Sequence, residues 1–169
     1  MIDPNSTSVF ASEELETWAA LATVLEWLPP ALDSALGDAH GLTHFEYGIL
    51  FALDDAPDGV LRMSTLAGYA NSSLSRLSRA ASRLEGRGWV QRSQDPSDGR
   101  STLATLTGKG SEIVRRATPT HTQTVKDLIL NPLTSAQKHQ LRDISLRIQR
   151  AIREKEGWQP DTTDRRETS

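Results

Sequence analysis

Apolar positions recur at spacings of three and four along most of this chain, which predicts helices, and β-favouring residues take over only after residue 88. Leu15, Trp18, Leu21, Ala22, Leu25 and Leu28 mark a first helix, with Ser12 as N-cap and Glu13 and Glu14 in its first turn. Pro29 and Pro30 interrupt that stripe. Each removes an amide donor and crowds the preceding turn, so a kink or a break is expected there, with a second segment through Leu32 and Leu36 to Gly37. Thr43 followed by Glu46 reads as a capping box for a second helix, whose buried stripe is Phe45, Ile49, Ala52 and Leu53.

Residues 54–59 are a loop by composition, 60–62 a short strand, and a short helix starting at Met63 or Ser64 runs through Tyr69. After a turn at Tyr69, Ala70 and Asn71, a helix capped by Asn71 or Ser72 carries the stripe Leu74, Leu77, Ala81 and Leu84. Gly86 and Gly88 stop it. Two strands follow, 89–94 and 101–106, joined by a polar turn over 95–100. Thr107 and Gly110 open a long helix carrying Ile113, Ala117, His121, Val125, Leu128 and Ile129; Pro119 should bend it and Asn131 with Pro132 should end it. Thr134 and Gln137 form another capping box, and Leu141, Ile144, Ile148, Ala151 and Ile152 stripe the last helix.

The helix after residue 73 has an unusual polar face. Successive residues lie about 100° apart, which sets Ser72, Ser75, Arg76, Arg79 and Arg83 opposite the apolar stripe. A helix facing only solvent would mix Glu with its Arg for i,i+4 pairing. Here no acid occurs between Asp58 and Glu85, whereas Arg62, Arg76, Arg79 and Arg83 all do. Short hydroxyls and guanidinium forks suit a helix lying in the DNA major groove, where they contact phosphates and the edge of guanine. The net charge of −3 does not oppose this, because the acids cluster at 13–16, 26–58 and 154–167 and leave the middle basic.

The run RLSRAASRLEGRGWVQRSQDPSDGRSTLATLTGKG, residues 76–110, resembles the central signature of MarR-type transcriptional regulators. It holds Ser78-Arg79 in the recognition helix, Leu84-Glu85 before Gly88 and Val90, the Asp95, Pro96, Asp98, Arg100 wing pattern, and Leu106-Thr107 before Gly110. The resemblance implies a mainly α fold with a small β-wing: a winged helix-turn-helix flanked by N- and C-terminal dimerisation helices. The expected divisions are a flexible arm over 1–11, a dimerisation helix over 12–40, the DNA-binding lobe over 42–107, dimerisation helices over 108–155 and a polar tail over 156–169. Its expected partners are double-stranded DNA with a pseudo-palindromic operator, a second copy of the chain, and a small-molecule effector. In such a dimer two recognition helices lie about 34 Å apart, one turn of duplex.

On that reading Ser72, Ser73, Ser75, Arg76 and Arg79 contact the major groove, and Arg83, a turn later, contacts a phosphate. Arg100 would enter the minor groove, aimed by Asp98. Gly99 stands where many relatives carry a second basic residue. Ser64 and Thr65 are candidates for a phosphate contact, with simple capping as the alternative. Trp18, Trp27, Phe45 and Tyr47 are candidates for an effector crevice, against the commoner role of core aromatics.

His40 and His44 are four apart, but Gly41 separates them and no acid or histidine set completes a metal site, so no metal or cofactor is expected. His121 is expected at an interface or pocket wall. With no cysteine, disulfides and thiolate chemistry are excluded. There is no phosphate-cradling glycine loop, no His-x-x-x-His with a supporting acid and no nucleophile elbow, which argues against an enzyme. No apolar run has membrane length and no secretion signal is evident, so a cytoplasmic protein is expected. A winged helix used for protein contact, or as a DNA-binding module without sequence preference, is the alternative function.

Overall fold

Leu77, Ala80, Ala81 and Leu84 are buried along one side of a thirteen-residue helix, and the rest of the lobe is arranged around that side. The computed structural model describes residues 10–156. The remaining positions of the expected arm and tail lie outside the described residues. In chain order the elements are α1 Ser12–His40, α2 His44–Asp54, a 3-10 turn Pro57–Gly59, β1 Val60–Arg62, α3 Met63–Tyr69, α4 Leu74–Gly86, β2 Val90–Asp95, β3 Asp98–Leu106, α5 Gly108–Val125, a π-helical turn Lys126–Leu130 and α6 Ser135–Glu156. The three strands form one antiparallel sheet in the order β1-β3-β2. This is a winged helix fold, mainly helical with a small sheet.

Local chemistry accounts for most of the helix ends. Thr43 Oγ1 accepts from the Glu46 amide at 3.1 Å and Glu46 Oε2 accepts from the Thr43 amide at 3.1 Å, the reciprocal box anticipated for α2. Thr134 and Gln137 do the same at the start of α6. Thr107 caps α5 by accepting from the Gly110 amide at 3.0 Å, and its hydroxyl donates to the Gly88 carbonyl at 2.7 Å. Gly88 itself takes a left-handed φ of 71°, which lets the chain leave α4 and enter β2. For α1 the N-cap is Ala11 rather than Ser12, with Glu14 accepting from the Ala11 amide at 2.9 Å.

Two further expectations are corrected. α1 is one unbroken helix of 29 residues through Pro29 and Pro30. The carbonyls deprived of donors there belong to Leu25 and Glu26, both exposed residues, and the helix continues without those two backbone bonds. The wing turn is tighter than a six-residue loop. Asp95 pairs with Asp98 in the sheet register, leaving only Pro96 and Ser97 between the strands. The α5 helix carries Pro119 inside it and widens into a π turn, in which the Asn131 amide donates to the Lys126 carbonyl at 2.7 Å.

The core draws on nearly every element: Leu36 from α1, Tyr47, Ile49, Leu50 and Leu53 from α2, Leu66 from α3, Val90 and Ala104 from the sheet, and Ile113, Val114 and Ala117 from α5. By contrast the first two-thirds of α1 is mostly exposed, and so is every described residue of α6 except the partly buried Lys138. Leu15, Trp18, Leu21, Val24, Leu25 and Trp27 on α1, and Leu141, Ile144, Leu146, Ile148 and Ile152 on α6, are exposed apolar residues. Among the described residues no helix is long and apolar enough to cross a membrane.

Candidate nucleic-acid interface

The start of α4 is fixed by Ser73, not by Asn71 or Ser72. Its hydroxyl accepts from the Arg76 amide at 3.3 Å and lies 3.1 Å from the Ser75 hydroxyl. Asn71 takes a left-handed φ of 42° in the preceding turn. Ser72 donates its hydroxyl to the Ser73 carbonyl at 3.3 Å. Ser73 is therefore partly engaged in capping, while Ser75 stays exposed beside it.

The arginines of α4 share a face but not a role. Arg79 is exposed and makes no ion pair or hydrogen bond within the described residues. Arg76 is exposed, with its guanidinium carbon 4.4 Å from the centre of the Phe45 ring, a cation–π contact that orients it. Together with Arg83, Phe45, Thr43 and Asp33 they line a groove of about 290 Å³.

Arg83 differs from the other two in being ion-paired, although its side chain stays 57% exposed. Its Nε donates to Glu46 Oε1 at 2.8 Å, tying α4 to the N-terminus of α2. Burial pushes the Glu46 carboxyl up, but the Arg83 guanidinium and the Thr43 amide outweigh it, and the group rests below the usual carboxylate range. Arg83→Ala should therefore lower thermal stability, leaving a buried carboxylate with one partner fewer. Solvent screening of the half-exposed arginine keeps the loss near 1 kcal/mol, measurable by urea unfolding.

In the wing, Asp98 does not pair with the Arg100 guanidinium. Its Oδ1 accepts from the Arg100 backbone amide at 3.1 Å and its Oδ2 from the Ser101 hydroxyl at 2.8 Å, so the carboxylate closes the turn. These bonds hold Asp98 below the ordinary carboxylate range, the Ser101 hydroxyl contributing most. Arg100 projects from the tip with its side chain exposed. Asp95 braces the same hairpin, accepting from the Ser97 hydroxyl at 2.7 Å and from Arg62 Nε at 2.9 Å.

Three connections escaped the sequence reading because they join distant segments. Arg62 reaches Asp95 across β3. Arg87 sits on the Trp89 ring and donates to the Gly41 carbonyl. Arg92 of β2 donates to Glu85 at 2.7 Å, to the Ser82 hydroxyl at 2.9 Å and to the Ser78 hydroxyl at 3.4 Å, fastening the wing to α4. The only advance signal was Glu85 itself, the one acid in a helix otherwise free of them.

The remaining candidates are dispersed. Ser64 is exposed and Thr65 half-buried in the first turn of α3, but neither hydroxyl caps that helix, whose N-cap is Arg62. Trp18 and Trp27 stand outward on α1, at 49% and 74% exposure. Tyr47 is a core residue, its hydroxyl 3.1 Å from that of Thr118. Phe45 borders a cleft of about 450 Å³, together with Pro29, Asp33, Gly48, Leu66 and Arg76.

His40 closes α1 and His44 opens α2, so their spacing is not that of one helix. His40 Nε2 lies 2.9 Å from the Thr120 hydroxyl, and the Asp33 carboxylate accepts from the His44 amide at 2.6 Å. His121 packs between the His44 ring, 5.3 Å away and nearly parallel, and the Tyr47 ring at 4.5 Å. Burial holds His44 below its ordinary pKa despite the pull of Asp33; burial, with the adjoining His44, does the same for His121.

A depressed imidazole contributes stability that is intact above the unfolded value, about 6.5, and declines as pH falls through the window beneath it. The melting temperature should therefore start to drop as pH falls below about 6.5. Scanning calorimetry of wild type and a His44→Gln/His121→Gln variant tests this: the variant's profile should be flatter, and identical profiles contradict the assignment.

The MarR family model matches residues 42–102, from the loop before α2 into β3. A MarR family transcriptional regulator from Streptomyces coelicolor, solved in complex with DNA, is 35% identical, with a TM-score of 0.83 over 92% of this chain and 97% of its own. AbsC, a MarR family transcriptional regulator from the same organism, is 30% identical, with a TM-score of 0.82 over 87% of this chain and 99% of its own. The transcriptional repressor MprA from Escherichia coli (strain K12) is 28% identical over 110 residues, 65% of this chain and 62% of MprA, so the match spans less than two-thirds of that relative. The matched segment contains the helix-turn-helix and most of the wing, and the likeness to the Streptomyces regulators extends to the flanking helices. The chain belongs to the MarR family of transcriptional regulators, whose members are not enzymes.

Proposed function

We propose that this chain is a homodimeric, sequence-specific DNA-binding regulator that acts on a pseudo-palindromic operator and represses transcription. The observation that carries the reading is the outward face of α4: Ser75, Arg76, Arg79, Ser82 and Arg83 are all exposed, with no acid among them, and Arg100 projects from the adjoining hairpin. A guanidinium fork matches guanine O6 and N7, and an arginine at a wing tip suits a narrow minor groove. The DNA complex of the 35%-identical Streptomyces regulator supports the same partner, and the likeness to the repressor MprA supports repression.

Dimerisation follows from the unpartnered apolar stripes. Leu141, Ile144, Ile148 and Ile152 recur along one side of α6, and Leu15, Trp18, Leu21 and Leu25 along α1, all open to solvent in a single chain. A second copy covers both stripes and sets two α4 helices one duplex turn apart, about 34 Å. The cleft beside Phe45 and Arg76 gives a small effector a place to act on the spacing of the two lobes.

Selection of bound duplexes from a random pool tests the function. A palindromic consensus is expected, whereas flat affinity governed only by salt favours the architectural alternative. Sedimentation of an Ile144→Asp/Ile148→Asp variant tests the assembly. It should be monomeric and bind the full site at least tenfold more weakly, in line with the loss of linked half-site binding.

A further inference from the structure

Leu74 does not behave like the other apolar residues of its helix. Leu77, Ala80, Ala81 and Leu84 are 0–1% exposed, whereas Leu74 is 55% exposed. It belongs neither to the core cluster nor to the partly buried residues packed against that cluster. Its chain neighbours are hydroxyls, Ser72, Ser73 and Ser75, and it occupies the first position of α4, immediately after the Ser73 cap. The leucine stripe read from the sequence thus breaks at its first member.

The place of that break matters. Base edges are met by the N-terminal residues of a recognition helix. At about 100° per residue, Leu74 and Arg76 lie about 100° to either side of Ser75, so the leading turn of α4 carries an apolar group on one flank and a guanidinium on the other. In the major groove the apolar feature of a base edge is the C5 methyl of thymine. An aliphatic side chain facing water gains by covering a methyl and gains nothing from cytosine, which offers an amino group with no methyl beside it.

We propose that Leu74 is a specificity-determining residue that packs on a thymine methyl in each operator half-site, on the flank of α4 away from Arg76 and Arg79. This rests on the DNA-binding reading given above. It adds a requirement that arginine contacts do not create: one thymine per half-site recognised by its methyl and not by its hydrogen-bonding edge.

Replacing thymine by deoxyuridine deletes that methyl and keeps every hydrogen-bonding group. With an operator selected by the wild-type protein, each thymine of one half-site is changed singly to deoxyuridine and affinity is read by fluorescence anisotropy. One position should lose about fourfold, the worth of one buried methyl. In Leu74→Ala the same change should cost nothing, while in Arg79→Ala the penalty should persist on a weaker background. Because Leu74 lies outside the core, the melting temperature of Leu74→Ala should match wild type.

A wild-type protein that binds its operator tightly yet shows no deoxyuridine penalty overturns the Leu74 assignment and leaves DNA recognition standing. A penalty undiminished in Leu74→Ala overturns it equally. If the wild type selects no sequence at all, sequence-specific recognition falls and the leucine's role falls with it.

Discussion

Arg79→Ala lowers affinity for the selected operator by roughly 5- to 150-fold, about 1–3 kcal/mol, and leaves the melting temperature where it was. Both halves of that expectation come from the same fact: Arg79 faces outward and spends none of its five donors inside the described protein. Removing it costs the fold nothing and removes a bidentate contact from the complex. Base preference should relax at one position per half-site, and the slope of log affinity against log salt should change little if the contact is to a base rather than a phosphate. Anisotropy titrations at several salt concentrations, beside a thermal melt, decide it; wild-type affinity for the operator would remove Arg79 from the interface. Arg83 makes the contrast, since its substitution should weaken the fold through Glu46 before it touches DNA.

Gly110→Ala carries the largest expected effect on stability. A Cβ at that position would run into the backbone carbonyl oxygen of Trp89 and stand 2.6 Å from Leu106 Cδ1. Trp89 cannot easily retreat, because its amide donates to the Leu84 carbonyl at 3.0 Å and its carbonyl accepts from the Thr107 amide at 3.0 Å. The first turn of α5 would have to lift away from the base of the wing, at a cost of about 3 kcal/mol or more. Urea unfolding would show this as a lower midpoint, and an unchanged midpoint would mean that α5 does not dock on Trp89 as described. Gly108, where an added Cβ meets nothing within 4 Å, is the matched control: Gly108→Ala should shift the midpoint only slightly.

Features that depend on four or five neighbouring residues were legible in the sequence. The Thr43–Glu46 and Thr134–Gln137 boxes, the Thr107 start of α5 and the Leu77, Ala81, Leu84 stripe all reappear where periodicity and capping chemistry placed them. What stayed hidden depends on docking. Glu46 and Arg83 are 37 positions apart, so nothing local reveals that one of the three aligned arginines is committed to the fold. Asp98 was assigned to the Arg100 guanidinium by resemblance, whereas a two-residue turn brings the backbone amide closer to it. Pro29 and Pro30 looked like a stop because propensity counts lost hydrogen bonds without asking whether the deprived carbonyls belong to exposed residues. Tyr47 and Trp18 looked alike as aromatic candidates, yet one is a core residue and the other stands on an open helix face.

Leu36, fully buried among the side chains of the DNA-binding lobe, comes from α1, and Ile113, Val114 and Ala117 come from α5. The helix-turn-helix and wing therefore do not close their interior by themselves. A fragment cut to residues 42–107 would present an open cavity wall where those four side chains belong, and it should be trimmed rapidly by protease. Evolutionary exchange of such a lobe between regulators would have to carry pieces of both flanking helices with it, so the portable unit is larger than the surface that touches DNA.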